Sequence, residues 1–298
     1  MLTAQLRCLV GVLALAFVGF GEAAAQTTDA AKPPVAPAPA TGDYTLFNPT
    51  PDDQMRPFCT DRPGKSHCAQ TVDPGHIQIE GDIWNYTWDR WQPNGTTTRA
   101  YTLVNPNIKV GLNSWLEFDA IFPVYNRLYQ RTGNVVTMAT GYGDTFLGGK
   151  VNFFGNDGGD SALGAIAFVK IPTGAAGLGN GRTEFVSNLP YTIALPDKFS
   201  LTLEPGLGYL RNQDNGDYHE NLQMIGNLNR PIIGDTVTAA IEIDAEYPTD
   251  RHMRPIWTID PSLQWLVRPN VQLDAGIYFG LTKAAPDFNP YLGISFRY

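Results

Sequence analysis

Two runs near the C-terminus constrain this chain more than any other feature. Between Val271 and Leu281, the residues Val271, Leu273, Ala275, Ile277, Phe279 and Leu281 fall on one face, and Gln272, Asp274, Gly276, Tyr278 and Gly280 on the other. Between Tyr291 and the terminus, Leu292, Ile294, Phe296 and Tyr298 oppose Gly293, Ser295 and Arg297. Successive side chains of a strand point to opposite faces, so a two-residue period reads as a strand with one apolar and one wet side. A soluble sandwich also alternates, and it would keep the mature protein in solution without detergent. The choice depends on how often the pattern recurs and in which compartment the chain works.

It recurs throughout. From His76 onward the chain divides into about twelve candidate strands of roughly ten residues, the even number and the length that a closed bacterial barrel needs. Leu116, Phe118, Ala120, Phe122 and Val124 oppose Trp115, Glu117 and Asp119. Leu163, Ala165, Ala167, Val169 and Ile171 oppose Gly164, Ile166, Phe168 and Lys170. Phe199, Leu201, Leu203, Leu207 and Tyr209 oppose Ser200, Thr202, Glu204 and Gly206. Val237, Ala239, Ile241, Ile243 and Ala245 oppose Thr238, Glu242, Asp244 and Glu246, and Trp257, Ile259, Leu263 and Trp265 oppose Thr258, Asp260, Ser262 and Gln264. A slip of one residue would turn every carboxylate onto lipid, so the register is strongly specified. Lipid satisfies no open backbone group, so strands that cross it must close on themselves. The first strand is ambiguous. Ile77, Ile79 and Ile83 share a face while Trp84, Tyr86 and Trp88 fall on the other, so either a bulge flips the face or these aromatics point inward.

The connections agree with a barrel. Leu112-Asn113-Ser114, Gly155 to Gly159, Pro196-Asp197, Pro231 to Gly234 and Arg268-Pro269-Asn270 are short turns rich in Asn, Gly, Asp and Pro. The alternate set, including Arg131 to Gly141 and Thr173 to Arg182, is longer, as outer loops are. Gln92 to Thr96 is a short exception, with Asn94-Gly95 as its hairpin turn. Trp84, Tyr86, Trp88, Trp91, Trp257, Trp265 and Tyr298 lie near strand ends, where aromatic girdles belong.

The N-terminus reads as an export signal over residues 1–25: Arg7, an apolar run from Leu9 to Phe20, and Ala23-Ala24-Ala25 before Gln26. Its removal takes Cys8 and leaves Cys59 and Cys68, an even pair whose oxidising compartment predicts one disulfide. Residues 26–43 form an Ala/Pro-rich linker. Residues 44–75 have no periodicity and read as irregular, either a loose periplasmic leader, the plainer reading, or a plug tucked into the barrel. With 21 basic against 29 acidic residues and no basic tract, nucleic-acid binding is not expected.

The inward face carries Glu80, Asp82, Glu117, Asp119, Asp144, Glu204, Glu242, Asp244, Glu246, Asp260 and Asp274, with Arg99, Lys109, Lys150, Lys170 and Arg297 among them. These are pore-lining candidates for a cation-favouring lumen; the bland alternative is a set of salt bridges filling a narrow barrel. Glu242, Asp244 and Glu246 repel one another unless water, cations or basic partners sit opposite, and Lys150 and Lys170 are the partners to test. No cofactor or metal is expected, because His67, His76, His219 and His252 lack ligand spacing. Gly64-Lys65-Ser66 lacks the earlier glycine and the strand-to-helix context of a phosphate loop. His252 beside Asp250 and Arg251 in an outer loop is the one place for a lipid-modifying activity, but no nucleophile is placed with it.

Gly143-Asp144-Thr145-Phe146-Leu147-Gly148-Gly149-Lys150, Val169-Lys170-Ile171-Pro172-Thr173-Gly174, and Leu266 to Gly276 recur in the order seen in a known family. Residues 76–298 resemble the transporter-like outer-membrane barrels grouped under a meta-pathway of phenol degradation. The resemblance implies an outer-membrane channel passing small hydrophobic or aromatic solutes, in contact with outer-membrane lipid. It also implies that the final aromatics, Phe296 and Tyr298, serve as the signal for the barrel assembly machinery. The expectation is therefore an all-β, antiparallel transmembrane barrel that is not an enzyme. A structural or adhesive barrel with a closed lumen, and a lipid-modifying barrel enzyme, remain as alternatives.

Overall fold

The computed structural model describes residues 44–90, 95–212 and 216–298. The expected signal peptide and linker, Trp91 and the Asn94 half of the first loop's expected turn lie outside the described residues. The strands are Ile77–Asp89 (β1), Thr96–Asn113 (β2), Leu116–Ile121 (β3), Tyr125–Thr132 (β4), Val135–Gly141 (β5), Thr145–Phe154 (β6), Ser161–Ile171 (β7) and Glu184–Asn188 (β8). They continue with Tyr191–Ala194 (β9), Ser200–Arg211 (β10), Tyr218–Ile233 (β11), Val237–Pro248 (β12), Ile256–Arg268 (β13), Val271–Gly280 (β14) and Phe288–Arg297 (β15).

All neighbours are antiparallel, and β1 pairs with both β2 and β15, which closes the sheet. Three staves are split in two, β3 with β4, β5 with β6 and β8 with β9, so the barrel has 12 staves. Two of the breaks fall at Pro123 and Pro190, which have no N–H to give a ladder. Closure leaves no open edge across the apolar layer, the condition a lipid-facing sheet must meet. Among the described residues no helix is long and apolar enough to cross a membrane; strands make this barrel.

The alternation comes out as polar inside and apolar outside. Gln78, Glu80, Lys109, Glu117, Asp119, Lys150, Glu204, Glu242, Asp244 and Asp260 are buried, while Phe118, Val169, Leu203, Leu222, Ile241, Leu263, Phe279 and Leu292 are exposed. Ile166, Phe168 and Ile225 are apolar exceptions that also turn inward and are buried. The ambiguous first strand resolves as a bulge. Register shifts between Asp82 and Trp84, and Val104, at the facing position of β2, adopts φ 55°. Both chains skip one residue at the same level, so each changes face. Glu80 and Asp82 therefore point in, while Trp84, Tyr86 and Trp88 point out and join an aromatic belt. Tyr86 lies 4.7 Å from Tyr101, and Trp88 lies 5.2 Å from Phe288, centroid to centroid. The same bulge corrects one expectation: Arg99 is exposed on the outer face, over the rings of Trp88 and Tyr129, and does not line the lumen.

One end of the barrel carries the short turns and both ends of the strand run; the other carries the longer loops. They are called the turn end and the loop end below.

Candidate functional site

Residues 44–75 turn back from β1, and their inner portion, from Arg56 to Asp73, packs against the lumen wall. Buried ionised groups are costly unless paired and hydrogen-bonded, and here most of them find a partner across the gap between segment and wall, although neither oxygen of the buried Asp119 is hydrogen-bonded. At the turn end, Arg56 pairs with Asp157 at 2.9 Å, Arg297 pairs with Asp73 at 2.9 Å, and Arg297 also donates to the Arg56 carbonyl at 2.9 Å. Cys59 and Cys68 are joined in a disulfide, with Cα atoms 6.1 Å apart.

The loop between the two cysteines carries the densest set of contacts. Asp61 accepts from Lys109 Nζ at 2.6 Å, Lys150 Nζ at 2.9 Å and the Cys68 N–H at 2.8 Å, while its own N–H donates to Glu80 at 2.8 Å. Arg62 forks between Asp82 at 2.9 Å and Asp274 at 2.8 Å. The backbone N–H groups of Lys65 and Ser66 donate to the two oxygens of Glu242 at 2.7 and 3.0 Å. Lys65 Nζ pairs with Asp244 and Glu246. His67 gives its backbone N–H to Glu204 at 2.7 Å, and its Nδ1 lies 2.6 Å from the other oxygen of the same carboxylate. The Gly64-Lys65-Ser66 tripeptide, read from sequence as an incomplete phosphate loop, thus cradles a carboxylate of the protein itself.

The wall makes room for this segment with glycines. A Cβ on Gly164 would stand 2.6 Å from the Ala69 carbonyl; one on Gly111 would strike the Asp73 carbonyl, and one on Gly293 the Arg62 guanidinium. Gly164→Val is expected to hold the segment off the wall without altering the lipid face. The variant should keep the heat-modifiable mobility of a folded barrel and conduct in a planar bilayer where the parent is expected to be silent. A folded variant as silent as the parent would show that the close approach at Gly164 is not needed.

The structure distributes the sequence candidates over three levels. Arg297 lies at the turn end. Glu117, Asp119, Lys150, Glu204, Glu242, Asp244, Glu246, Asp260 and Asp274 surround the segment. Asp144 and Lys170 lie at the loop end, 3.4 Å apart, where Lys170 also meets Glu184 at 2.6 Å and Asp144 accepts the Gly174 N–H at 2.8 Å. Asp260 is held by the Tyr291 hydroxyl at 2.6 Å and the Ile277 N–H at 3.0 Å. The expected partners of the acidic row on β12 are corrected. Lys150 is bound to Asp61 and Glu117, and Lys170 belongs to the loop end; the row is met by Lys65. Phe296 and Tyr298 lie with ring centroids 5.6 Å apart, and Tyr298 exchanges backbone hydrogen bonds with Ile77. Sequence reasoning named neither Asp61 nor Arg62, and weighed Lys65 and His67 only as parts of a phosphate loop and a metal site that it set aside. The available signal was three basic side chains within a cysteine-bounded loop, complementary to an acidic lumen.

Two ionisations in the segment set its response to pH. Burial alone would raise the Asp61 carboxyl, but Lys109 and Lys150 outweigh burial and hold it below the ordinary range. Its contribution is therefore present above the usual carboxylate value of about 3.9 and lost as pH falls. Burial alone would lower the His67 imidazole, but the Glu204 charge and hydrogen bond outweigh burial and raise it. That contribution is full below the usual histidine value of about 6.5 and lost as pH climbs through the raised one. Seating should thus be tightest between about pH 4 and 6.5 and loosen on the alkaline side. Hydrogen exchange of residues 59–70 across this range would show it. Equal exchange at all alkaline values, in the parent and in His67→Gln alike, would contradict it.

Space remains at both ends. A cavity of about 230 Å³ at the turn end is lined by Cys59, Cys68, Thr192, Ser200, Asn229, Gln264 and Gln272 among others. At the loop end, a cavity of about 380 Å³ is bounded by Asn180, Glu184, Leu210, Arg211, Asn212, His219 and Met253. A second, of about 330 Å³, shares Asn212 and His219 with it and reaches His252. His252 lies 3.3 Å from Asp250 there.

Among solved structures, the chain is similar to an outer membrane channel from Pseudomonas putida F1, at a TM-score of 0.56 and 16% identity, covering 76% of this chain and 100% of that one. It also resembles the NanC porin, at 0.46 and 10%, covering 74% and 98%, and the CymD monoaromatic hydrocarbon channel, at 0.40 and 9%, covering 74% and 87%. No curated protein sequence matches. A family model described as "Putative MetA-pathway of phenol degradation" matches residues 60–298, starting inside the lumen segment and running to the last strand. The chain belongs to that family.

Proposed function

We propose that the protein is an outer-membrane channel for small molecules, closed at rest by its own N-terminal segment, with the turn end facing the periplasm. The observation that carries this reading is the chemistry of the inner wall. A barrel packed permanently shut is most simply filled with apolar side chains, since charged pairs seldom improve on them. This wall keeps its carboxylates and ammoniums in place for a separate, strand-free segment to meet. Once the segment leaves, water satisfies those same groups, so the wall suits both a filled and a wet lumen.

Small aromatic or hydrophobic compounds are the solutes proposed, on the strength of the family description. The barrel works by passage and carries out no reaction. A permanently closed structural barrel is the second reading, favoured by the ring of ion pairs between segment and wall. Solute-driven swelling of liposomes separates the two. Vesicles holding the Gly164→Val barrel should swell in isosmotic small aromatic alcohols, and more slowly in a disaccharide. Folded barrel that admits neither leaves only the structural reading.

A further inference from the structure

We propose that the Cys59–Cys68 disulfide is a redox latch: oxidised, it keeps the segment seated, and reduced, it lets the segment leave and the barrel conduct. The inference rests on the channel reading above and adds how that closure is regulated.

The bond closes a loop over a sequence separation of 9, and within that loop lie four of the side chains that grip the wall, while Arg56 and Asp73 hold it from outside the loop. They do not grip one place. Asp61 reaches Lys109 on β2 and Lys150 on β6, and Arg62 reaches Asp82 on β1 and Asp274 on β14. Lys65 reaches Asp244 on β12, and His67 reaches Glu204 on β10. Contacts spread around the ring act together only while the loop keeps its shape. Asp61 already receives the Cys68 N–H across the neck of the loop, and the disulfide fixes the same neck covalently. A cross-link restricts the displaced segment far more than the seated one. For a loop of about ten residues the chain-entropy account puts this at on the order of 100-fold in the ratio of seated to displaced.

The bond is also within reach of a reductant. Cys59 is exposed, and both cysteines line the cavity of about 230 Å³. The wall of that cavity comes from turn-end positions on β9, β10, β11, β13 and β14. A dithiol arriving from the turn end is the chemistry that fits. Its thiolate attacks Cys59 sulfur, and the Cys68 thiolate leaves and takes a proton. The reductant's second thiol then displaces the Cys59 thiol and closes the reductant's own disulfide. Two electrons and two protons pass to the protein, and the dithiol is oxidised by the same amount.

The test uses the full-length mature protein in planar bilayers, with dithiothreitol added at the turn-end side. Open probability is expected to rise on the order of 100-fold, with two thiols appearing by labelling, and to fall again when a mild oxidant restores the bond. A Cys59→Ser/Cys68→Ser protein should be open from the start and indifferent to dithiothreitol. An unchanged open probability after confirmed reduction overturns the latch, as does a folded double-serine protein as closed as the oxidised parent. Should the double-serine protein not fold, reduction of the folded parent decides alone. Asp61→Ala separates the two levels of the account. If it opens while reduction does nothing, the latch is wrong and the channel stands; if neither opens, the channel reading falls.

Discussion

Replacing Asp61 by alanine is expected to convert a silent barrel into a conducting one. Lys109 is 1% exposed and Lys150 0%, and Asp61 is the acceptor closest to both ammoniums. Without it they keep Glu80 at 3.2 Å, Glu117 at 3.4 and 3.2 Å, and, for Lys150, the Gln70 carbonyl at 3.4 Å. Removing one member of a buried ionic cluster costs about 3–5 kcal/mol, because the remaining charges stay buried without adequate partners. The penalty falls on the seated state alone: with the segment displaced, both lysines face water. A change of this size moves the ratio of seated to displaced segment by about two to nearly four orders of magnitude, since about 1.4 kcal/mol is tenfold. Single-channel recording reads it as a rise in open probability, and protease cleavage between residues 44 and 75 should rise in parallel. An Asp61→Ala barrel that folds, stays silent and keeps its segment protected would show that this cluster does not hold the closure.

The second large effect concerns selectivity once the lumen is open. Glu242, Asp244 and Glu246 lie two residues apart on the inward face of β12, and Lys65 of the segment is their basic partner. When the segment leaves, that cation leaves with it and the row faces water. A unit charge acts on an ion 4 Å away with about 1 kcal/mol even in water, and opposite ions are moved in opposite directions. In an Asp61→Ala background, Glu242→Gln, Asp244→Asn and Glu246→Gln together should therefore lower the cation-to-anion permeability ratio by about fivefold or more. Reversal potentials in a salt gradient measure it. An undiminished preference would place the selective ring elsewhere on the wall.

How much of this was legible in the sequence depends on what wrote the signal. The staves were legible because lipid on one side and charge on the other force strict alternation. Glu242, Asp244 and Asp260 are inward and buried, as their spacing requires, and the turns at Pro196-Asp197 and Pro269-Asn270 carry their usual residues. The first stave was ambiguous for a physical reason: a bulge at Ile83 changes the face within one strand, and period alone does not show where the change occurs. The same bulge, facing Val104, moved Arg99 from lumen to surface. The partner of the acidic row was misplaced because ion pairing between strand and segment leaves no periodic trace. Lys150 and Lys170 share its face of the sheet, but Lys65 reaches it from a stretch with no periodicity at all. Likewise Gly111, Gly164 and Gly293 read as ordinary strand glycines until the segment is seen to run across them.

The measurement that bears most directly on the central claim is planar-bilayer conductance of the refolded mature protein beside the same protein lacking residues 26–75. Rare or absent steps are expected from the oxidised parent, and stable, cation-favouring steps from the shortened barrel. Silence from both, with folding established by heat-modifiable mobility, would contradict it and leave a structural barrel whose lumen does not conduct.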